Sequence, residues 1–207
     1  MSDSSTLTSN GSLPYCAVIC AAGAGTRMGH NKALCRLPHS GTFLSSIVNT
    51  LQAAEVTQIV VVIGAQANEV IQAHPDLHVN WVVNPLWANT FMLESLTCGI
   101  QHTPKECNII HWPVDCVGVH LQDLQKLLTS PLLTPFAALS FHGKSGHPLR
   151  IAPQAADILR SGNHTFHSLR EFFHSGECTY IEADQDALMN CNDPQRLADF
   201  IATHAQL

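Results

Sequence analysis

The chain has 207 residues, enough for one well-buried domain and short for two. Hydrophobic residues make up 45% and charged residues 13%, which fits a globular fold around an apolar core. The formal net charge is −6, with only ten lysines and arginines, which argues against a nucleic-acid surface or an anionic membrane as partner. No apolar run reaches the roughly eighteen residues that a spanning helix needs.

Residues 1–13 are polar and rich in Ser and Thr. They lack the basic and apolar regions of a signal peptide and read as a disordered tail on a cytoplasmic protein. Residues 14–207 read as a single domain. Its first strand is the apolar run Tyr15 to Ile19. Apolar residues at Phe43, Leu44, Ile47, Val48 and Leu51 have the spacing of an amphipathic helix over 41–54. The run Ile59 to Ile63 is wholly apolar and β-branched, as in a parallel strand covered on both faces.

A helix over 65–73, a strand over 78–83 and a helix over 90–101 follow. The next strand covers 108–112, a helix 119–128, and a fifth strand 136–141. Repeated β-α units with short connections predict a mostly parallel twisted sheet between two helical layers, an α/β three-layer Rossmann-like fold. The last third breaks the rhythm. His142 to Pro148 reads as a turn-rich loop, 149–152 as a short strand, 153–159 and 166–174 as helices, 178–181 as a strand. Pro194 to His204 reads as a closing amphipathic helix, with Asp193 as its cap.

Eight cysteines contain no C-x-x-C pair, and several sit in apolar runs as small hydrophobes. Thirteen histidines read as scattered surface residues. His164 and His167 have helical spacing, but no third ligand stands near them in sequence.

The informative stretch is Cys20-Ala21-Ala22-Gly23-Ala24-Gly25-Thr26-Arg27-Met28-Gly29-His30-Asn31-Lys32. Glycines after a buried strand let the backbone approach a ligand, and its N–H groups form an anion-binding concavity. Arg27 and Lys32 place two cations at the rim. A P-loop is excluded because His30 follows Gly29 where lysine is needed. A dinucleotide fingerprint fits poorly, because the third glycine comes late and the second strand ends without an acid. Ligands on such a sheet bind beyond the carboxyl ends of the strands, where Asn84 and Asp115 also fall.

The string A-A-G-x-G-x-R-M-G-x-x-K resembles the signature loop of the MobA-like nucleotidyltransferases. Three further stretches extend the resemblance from about Tyr15 to Leu197. Pro113-Val114-Asp115 matches the family's metal-binding Asp context. Asn84-Pro85-Leu86-Trp87, followed by Met92, Ser95, Leu96 and Gly99, resembles a motif of the molybdenum cofactor cytidylyltransferase branch, with Phe91 where glycine is usual. Gly146-His147-Pro148 matches that branch's acceptor side. Asn190-Cys191-Asn192-Asp193-Pro194 resembles the segment that completes the metal site.

The resemblance implies a nucleotidyltransferase fold and an active enzyme. It implies Arg27, Lys32 and Asp115 as catalytic residues. Ala21, Ala22, Gly23, Ala24, Gly25, Thr26, Asn84 and Ser95 would bind nucleotide, and His147 the acceptor. Mg²⁺ would sit on Asp115 and Asn192. In this family Ala21-Ala22-Gly23 points to CTP, and molybdopterin is the implied acceptor. GTP-dependent guanylyl transfer and a sugar- or alcohol-phosphate acceptor are the alternatives. Two departures leave a non-catalytic nucleotide-binding chaperone for a molybdoenzyme open as another class. Cys116-Val117 replaces the usual residue plus proline, and Ser161-Gly162-Asn163-His164 lacks the branch's G-D-x-G-A-R string.

Overall fold

Six consecutive buried residues, Cys16 to Ala21, put the first strand at the centre of the molecule. The computed structural model describes residues 13–204, apart from positions 39 and 132. The strands are β1 (Tyr15–Ala21), β2 (Arg36–Leu37), β3 (Gly41–Thr42), β4 (Gln58–Ile63), β5 (Asn80–Val83), β6 (Asn108–Pro113), β7 (Phe136–Phe141), β8 (Lys144–Ile151) and β9 (Cys178–Glu182). The α-helices are α1 (Phe43–Ala53), α2 (Ala67–Gln72), α3 (Met92–Ile100), α4 (Leu121–Thr129), α5 (Pro153–Ser161), α6 (Leu169–His174) and α7 (Pro194–His204).

Seven strands form one sheet in the order β5-β4-β1-β6-β8-β7-β9, and β2 pairs with β3 in a separate hairpin. Every pairing among β5, β4, β1 and β6 is parallel, as is β7 with β9. Strand β8 alone runs antiparallel, between β6 and β7. The predicted three-layer α/β architecture is therefore present, with one reversed strand.

The alternation along β1 explains the layers. Ala17, Ile19 and Ala21 pack into the apolar cluster that holds α1, while Cys16, Val18 and Cys20 pack into the one that holds α3. Both faces are covered from Cys16 to Ala21, so the strand carries no charged residue. On α3, a Cβ at Gly99 would lie 2.3 Å from Val18 and 2.8 Å from Val62. Only glycine lets that helix lie so close to the sheet.

Most predicted elements hold with trimmed ends. The helix expected over 65–73 is α2, and the strand expected over 78–83 begins at Asn80. The helix expected from Phe166 begins at Leu169, because the Ser168 side chain accepts from Glu171 N and caps it. Asp193 caps α7 as expected: its Oδ1 accepts from Arg196 N at 2.9 Å, and Pro194 opens the helix.

The loop expected over 142–148 is a correction. Only His142 and Gly143 turn, both at positive φ (49° and 78°), and Phe141 pairs with Lys144. A two-residue hairpin with both central residues left-handed matches the strand twist. The rest of the stretch is the first half of β8. The tail expected over 1–13 lies outside the described residues except Leu13.

Burial also corrects the histidines, since His74 and His111 are core residues. The buried Arg150 of β8 has no carboxylate partner among the described residues. It donates instead to the carbonyls of Leu127, Ser130 and Pro131, at 2.9, 2.7 and 3.0 Å. These lie at the C-terminal end of α4, the negative end of the helix dipole. All eight cysteines are free thiols.

Candidate active site

The glycine-rich loop leaves β1 and is braced from below. Gly25 sits at φ +65°, and a Cβ there would lie 2.1 Å from the His30 carbonyl oxygen. Glycine is thus required by backbone conformation and by backbone contact. A short 3₁₀ turn (Thr26–Met28) follows, closed by Met28 N donating to Gly25 O at 2.8 Å and anchored by the buried Met28 side chain. Asn31 is 1% exposed: its Nδ2 donates to Ala65 O, and its Oδ1 accepts from Ala33 N. That clamp starts a second 3₁₀ turn at Lys32 and aims the lysine back across the loop.

Lys32 Nζ donates to Asp115 Oδ2 at 2.7 Å and to Asn192 Oδ1 at 2.5 Å. The three residues come from the loop after β1, the end of β6 and the approach to α7. Asp115 stands just beyond the carboxyl end of β6, where an open α/β sheet places its ligands. The third segment is tied to Asp115 and to its neighbour Cys116. Cys191 N donates to Asp115 O at 2.9 Å, and the Cys116 thiol donates to Asn190 Oδ1 at 2.8 Å. Burial, then the Asp115 charge, raise the Cys116 pKa well above the ordinary thiol value, so it stays a donor.

A cavity of about 270 Å³ opens over this group. Gly23 to Arg27, Lys32, Val114 and Asp115 line it, with Ala21 below and Met92 opposite. Arg27 is exposed and has no ion-pair partner among the described residues. Ala22 is buried and is not among the residues that line the cavity: a Cβ on Gly64 would lie 2.7 Å from the Ala22 oxygen and 2.4 Å from Trp87.

Asn84 and Ser95 are buried and joined to each other rather than to the cavity lining. Asn84 Nδ2 donates to Thr90 Oγ1 at 3.0 Å and to Ser95 Oγ at 3.3 Å, and its Oδ1 accepts from Leu86 N. The pair folds the 84–92 segment and fixes the start of α3, whose first residue, Met92, borders the cavity.

His147 lies on β8 beside the end of β6. Its ring meets that of the fully buried His111 edge-on, with centroids 5.3 Å apart. Neither His147 Nδ1 nor His111 Nε2 has a hydrogen-bond partner among the described residues. Burial lowers the His147 pKa to about 4 against a smaller opposing pull from Asp115. Burial, then His147 itself, hold His111 well below the ordinary histidine value. Both rings are therefore neutral at pH 7.

No motif in the sequence assigns Asn31, Cys116 or His111 a role here. Asn31 carried a local signal, an Asx residue directly before a helical turn. The other two make contacts only through the fold.

The arrangement joins a glycine-rich loop, two cations and a pair of side-chain oxygens beyond the carboxyl ends of parallel strands. Residues 17–179 match the model of the MobA-like NTP transferase domain. The chain belongs to that family, a family of nucleotidyltransferases. It is 30% identical over 126 residues to the bifunctional protein GlmU of Halorhodospira halophila. That match covers 60% of this chain but 26% of the relative, so the chain spans about a quarter of the curated protein it matches. A nucleotidyl transferase from Methanothermobacter thermautotroptrophicus superposes with a TM-score of 0.78 at 21% identity, covering 93% of this chain and 98% of its own. The manganese complex of Rv0371C from Mycobacterium tuberculosis superposes at 0.75 with 15% identity, covering 92% and 99%. These structures share the fold.

Proposed function

We propose that the chain transfers CMP from CTP to a phosphate-bearing acceptor, molybdopterin in this reading, and releases pyrophosphate. The observation that carries the proposal is Lys32, held between Asp115 and Asn192 at the mouth of the glycine loop. These partners stand 83 and 160 positions away in sequence. The fold brings a cation and two side-chain oxygens to one point beside the glycine-rich loop.

In this reading the N–H groups of Gly23 to Thr26 hold the triphosphate. Lys32 and Arg27 offset the charge that builds on the α-phosphate oxygens and on the leaving group. A phosphate oxygen of the acceptor bonds to the α-phosphorus, and the bond to the bridging oxygen breaks. Pyrophosphate leaves with that electron pair. No general base is required, because a phosphate monoester is already anionic. Neutral His147 offers a ring nitrogen to the acceptor side without adding charge. Asn84 and Ser95 serve the nucleotide by positioning the start of α3.

Asp115 and Asn192 already share one cation, the Lys32 ammonium, and both offer hard oxygen donors. This donor set fits Mg²⁺, which takes one or two carboxylates and shares its remaining positions with phosphates. When bound, the ion would supply charge neutralisation at the phosphates. The manganese in the mycobacterial neighbour supports a divalent cation here. The Ala21-Ala22-Gly23 string supports CTP over GTP.

Pyrophosphate release measured with CTP, GTP, UTP and ATP, each with and without molybdopterin, tests the proposal. We expect release with CTP and molybdopterin together. Release with GTP alone among the nucleotides would move the assignment to guanylyl transfer. Nucleotide binding with no release under any condition would overturn the enzyme reading in favour of a chaperone.

A further inference from the structure

A second convergence of side chains lies at the C-terminal helix. His120 stands directly before α4, Asp186 in a 3₁₀ turn (Gln185–Leu188), and His204 at the end of α7. Each directs one ligand atom to a common point, and the three atoms lie within 4.8 Å of one another. His204 Nε2 is 2.6 Å from Asp186 Oδ2, and His120 Nε2 is 3.6 Å from the same oxygen.

We propose that His120, Asp186 and His204 form a binding site for a transition-metal ion of the zinc class. The donor set makes the choice of ion. Two imidazoles and a carboxylate suit zinc-class cations, whereas magnesium and calcium prefer all-oxygen shells. Around a tetrahedral zinc with bonds near 2.0–2.1 Å, ligand atoms stand about 3.3 Å apart. The two distances to Asp186 bracket that value and need to change by less than about 1 Å each, while the two histidine nitrogens, within 4.8 Å of each other, draw together around the ion.

The surroundings match a ligating histidine. His204 Nδ1 is 2.7 Å from the Phe200 carbonyl oxygen, which occupies that ring nitrogen and turns Nε2 towards Asp186. A carbonyl on the far ring nitrogen is the usual outer-shell device for orienting a metal-bound imidazole. The Phe200 ring stacks on His204 with centroids 4.2 Å apart, which fixes the ring plane.

Asp186 is held as well. Its N–H donates to Asp184 Oδ1 at 3.3 Å, and a Cβ on Gly118 would lie 2.2 Å from its carbonyl oxygen. Ion entry needs an open side, and the His120 side chain is half exposed, which also leaves room for a water as fourth ligand. Such an ion would join the entry to α4, the 185–188 turn and α7 in one clamp.

Titration of the chelator-treated full chain with zinc chloride, followed calorimetrically, tests the site. One equivalent should bind, and millimolar Mg²⁺ should not displace it. Cobalt(II) in its place should give visible d–d bands of a low-coordinate complex. Zinc at a hundred times its Kd should raise Tm by about 5–10 °C. Asp186→Asn and His204→Ala should each weaken binding at least tenfold. His120→Ala, at a half-exposed position, should do so with an unchanged circular dichroism spectrum. Asp115→Asn should bind zinc like the parent chain, which separates this site from the cleft. No stoichiometric binding, or equal binding by parent and His120→Ala, would overturn the proposal.

Discussion

Lys32 Nζ lies 2.7 Å from Asp115 Oδ2, and each side chain is about one-sixth exposed. The pair is dry enough to matter and open enough to receive a ligand. Under the proposed function, removing either partner deletes a group that acts on the phosphates. Lys32→Ala and Asp115→Ala should each lower the rate of pyrophosphate release about a hundredfold or more. Circular dichroism and Tm of the purified variants separate this from misfolding. Near-normal turnover in both would sink the mechanism.

Two glycines of the same loop should respond differently. Alanine at Gly25 adopts a left-handed conformation at about 1–2 kcal/mol. Its Cβ also meets a backbone oxygen that no rotamer change can move. Gly25→Ala should therefore distort the cradle and raise the KM for nucleotide as well as lower stability. At Gly23 a Cβ would meet nothing within 4 Å. Gly23→Ala should stay within about 0.5 kcal/mol of the parent in urea denaturation. Any activity it loses then reports space taken from the ligand.

His111 and His147 make stability fall with acid. In the unfolded chain each binds a proton near pH 6.5. In the folded chain His147 resists until about pH 4, and His111 resists too, chiefly through burial. Protons therefore favour the unfolded state as pH drops below 6.5, and above that pH neither group contributes. Each histidine removes up to about 1.4 kcal/mol per pH unit in that window. Urea denaturation at pH 7, 6 and 5 should show the decline, and His147→Asn should flatten it.

Arg150 closes α4 with three charge-assisted hydrogen bonds. Arg150→Met keeps much of the volume but leaves carbonyls without their donor. The expected loss is about 3 kcal/mol or more, a fall in Tm of about 6–12 °C for a chain of this size. Differential scanning calorimetry measures it.

Much of the fold is written in local pattern. Ile59 to Ile63 is apolar and branched because both faces are covered. The spacing of Phe43, Leu44, Ile47, Val48 and Leu51 shows which side of α1 meets the sheet. The first half of β8 was illegible for a physical reason. Lys144 to His147 mixes polar residues with glycine and remains partly exposed, so no apolar run marks it. Its turn, His142-Gly143, is also less telling than Asn-Gly or Asp-Gly.

At the candidate site, the motifs marked the glycine loop, Lys32 and Asp115 individually. The meeting of Lys32 with Asn192 across 160 positions has no local signature. Nor does the Cys116–Asn190 bond, through which an atypical residue ties two segments together. Asn84 and Ser95 share a motif, but only the fold shows them bonded to each other.

The reversed direction of β8 sets it apart from the strands whose ends carry the glycine loop and Asp115. The glycine loop and Asp115 lie on segments that leave the ends of the parallel strands β1 and β6. His147 comes from a different arm, the first half of the hairpin strand β8. Insertions in the 142–143 turn would extend that arm into solvent without disturbing β1, its glycine loop or α1. Under the proposed function, acceptor choice and phosphate binding then reside on separately anchored parts of the chain, so one can be altered while the other is kept.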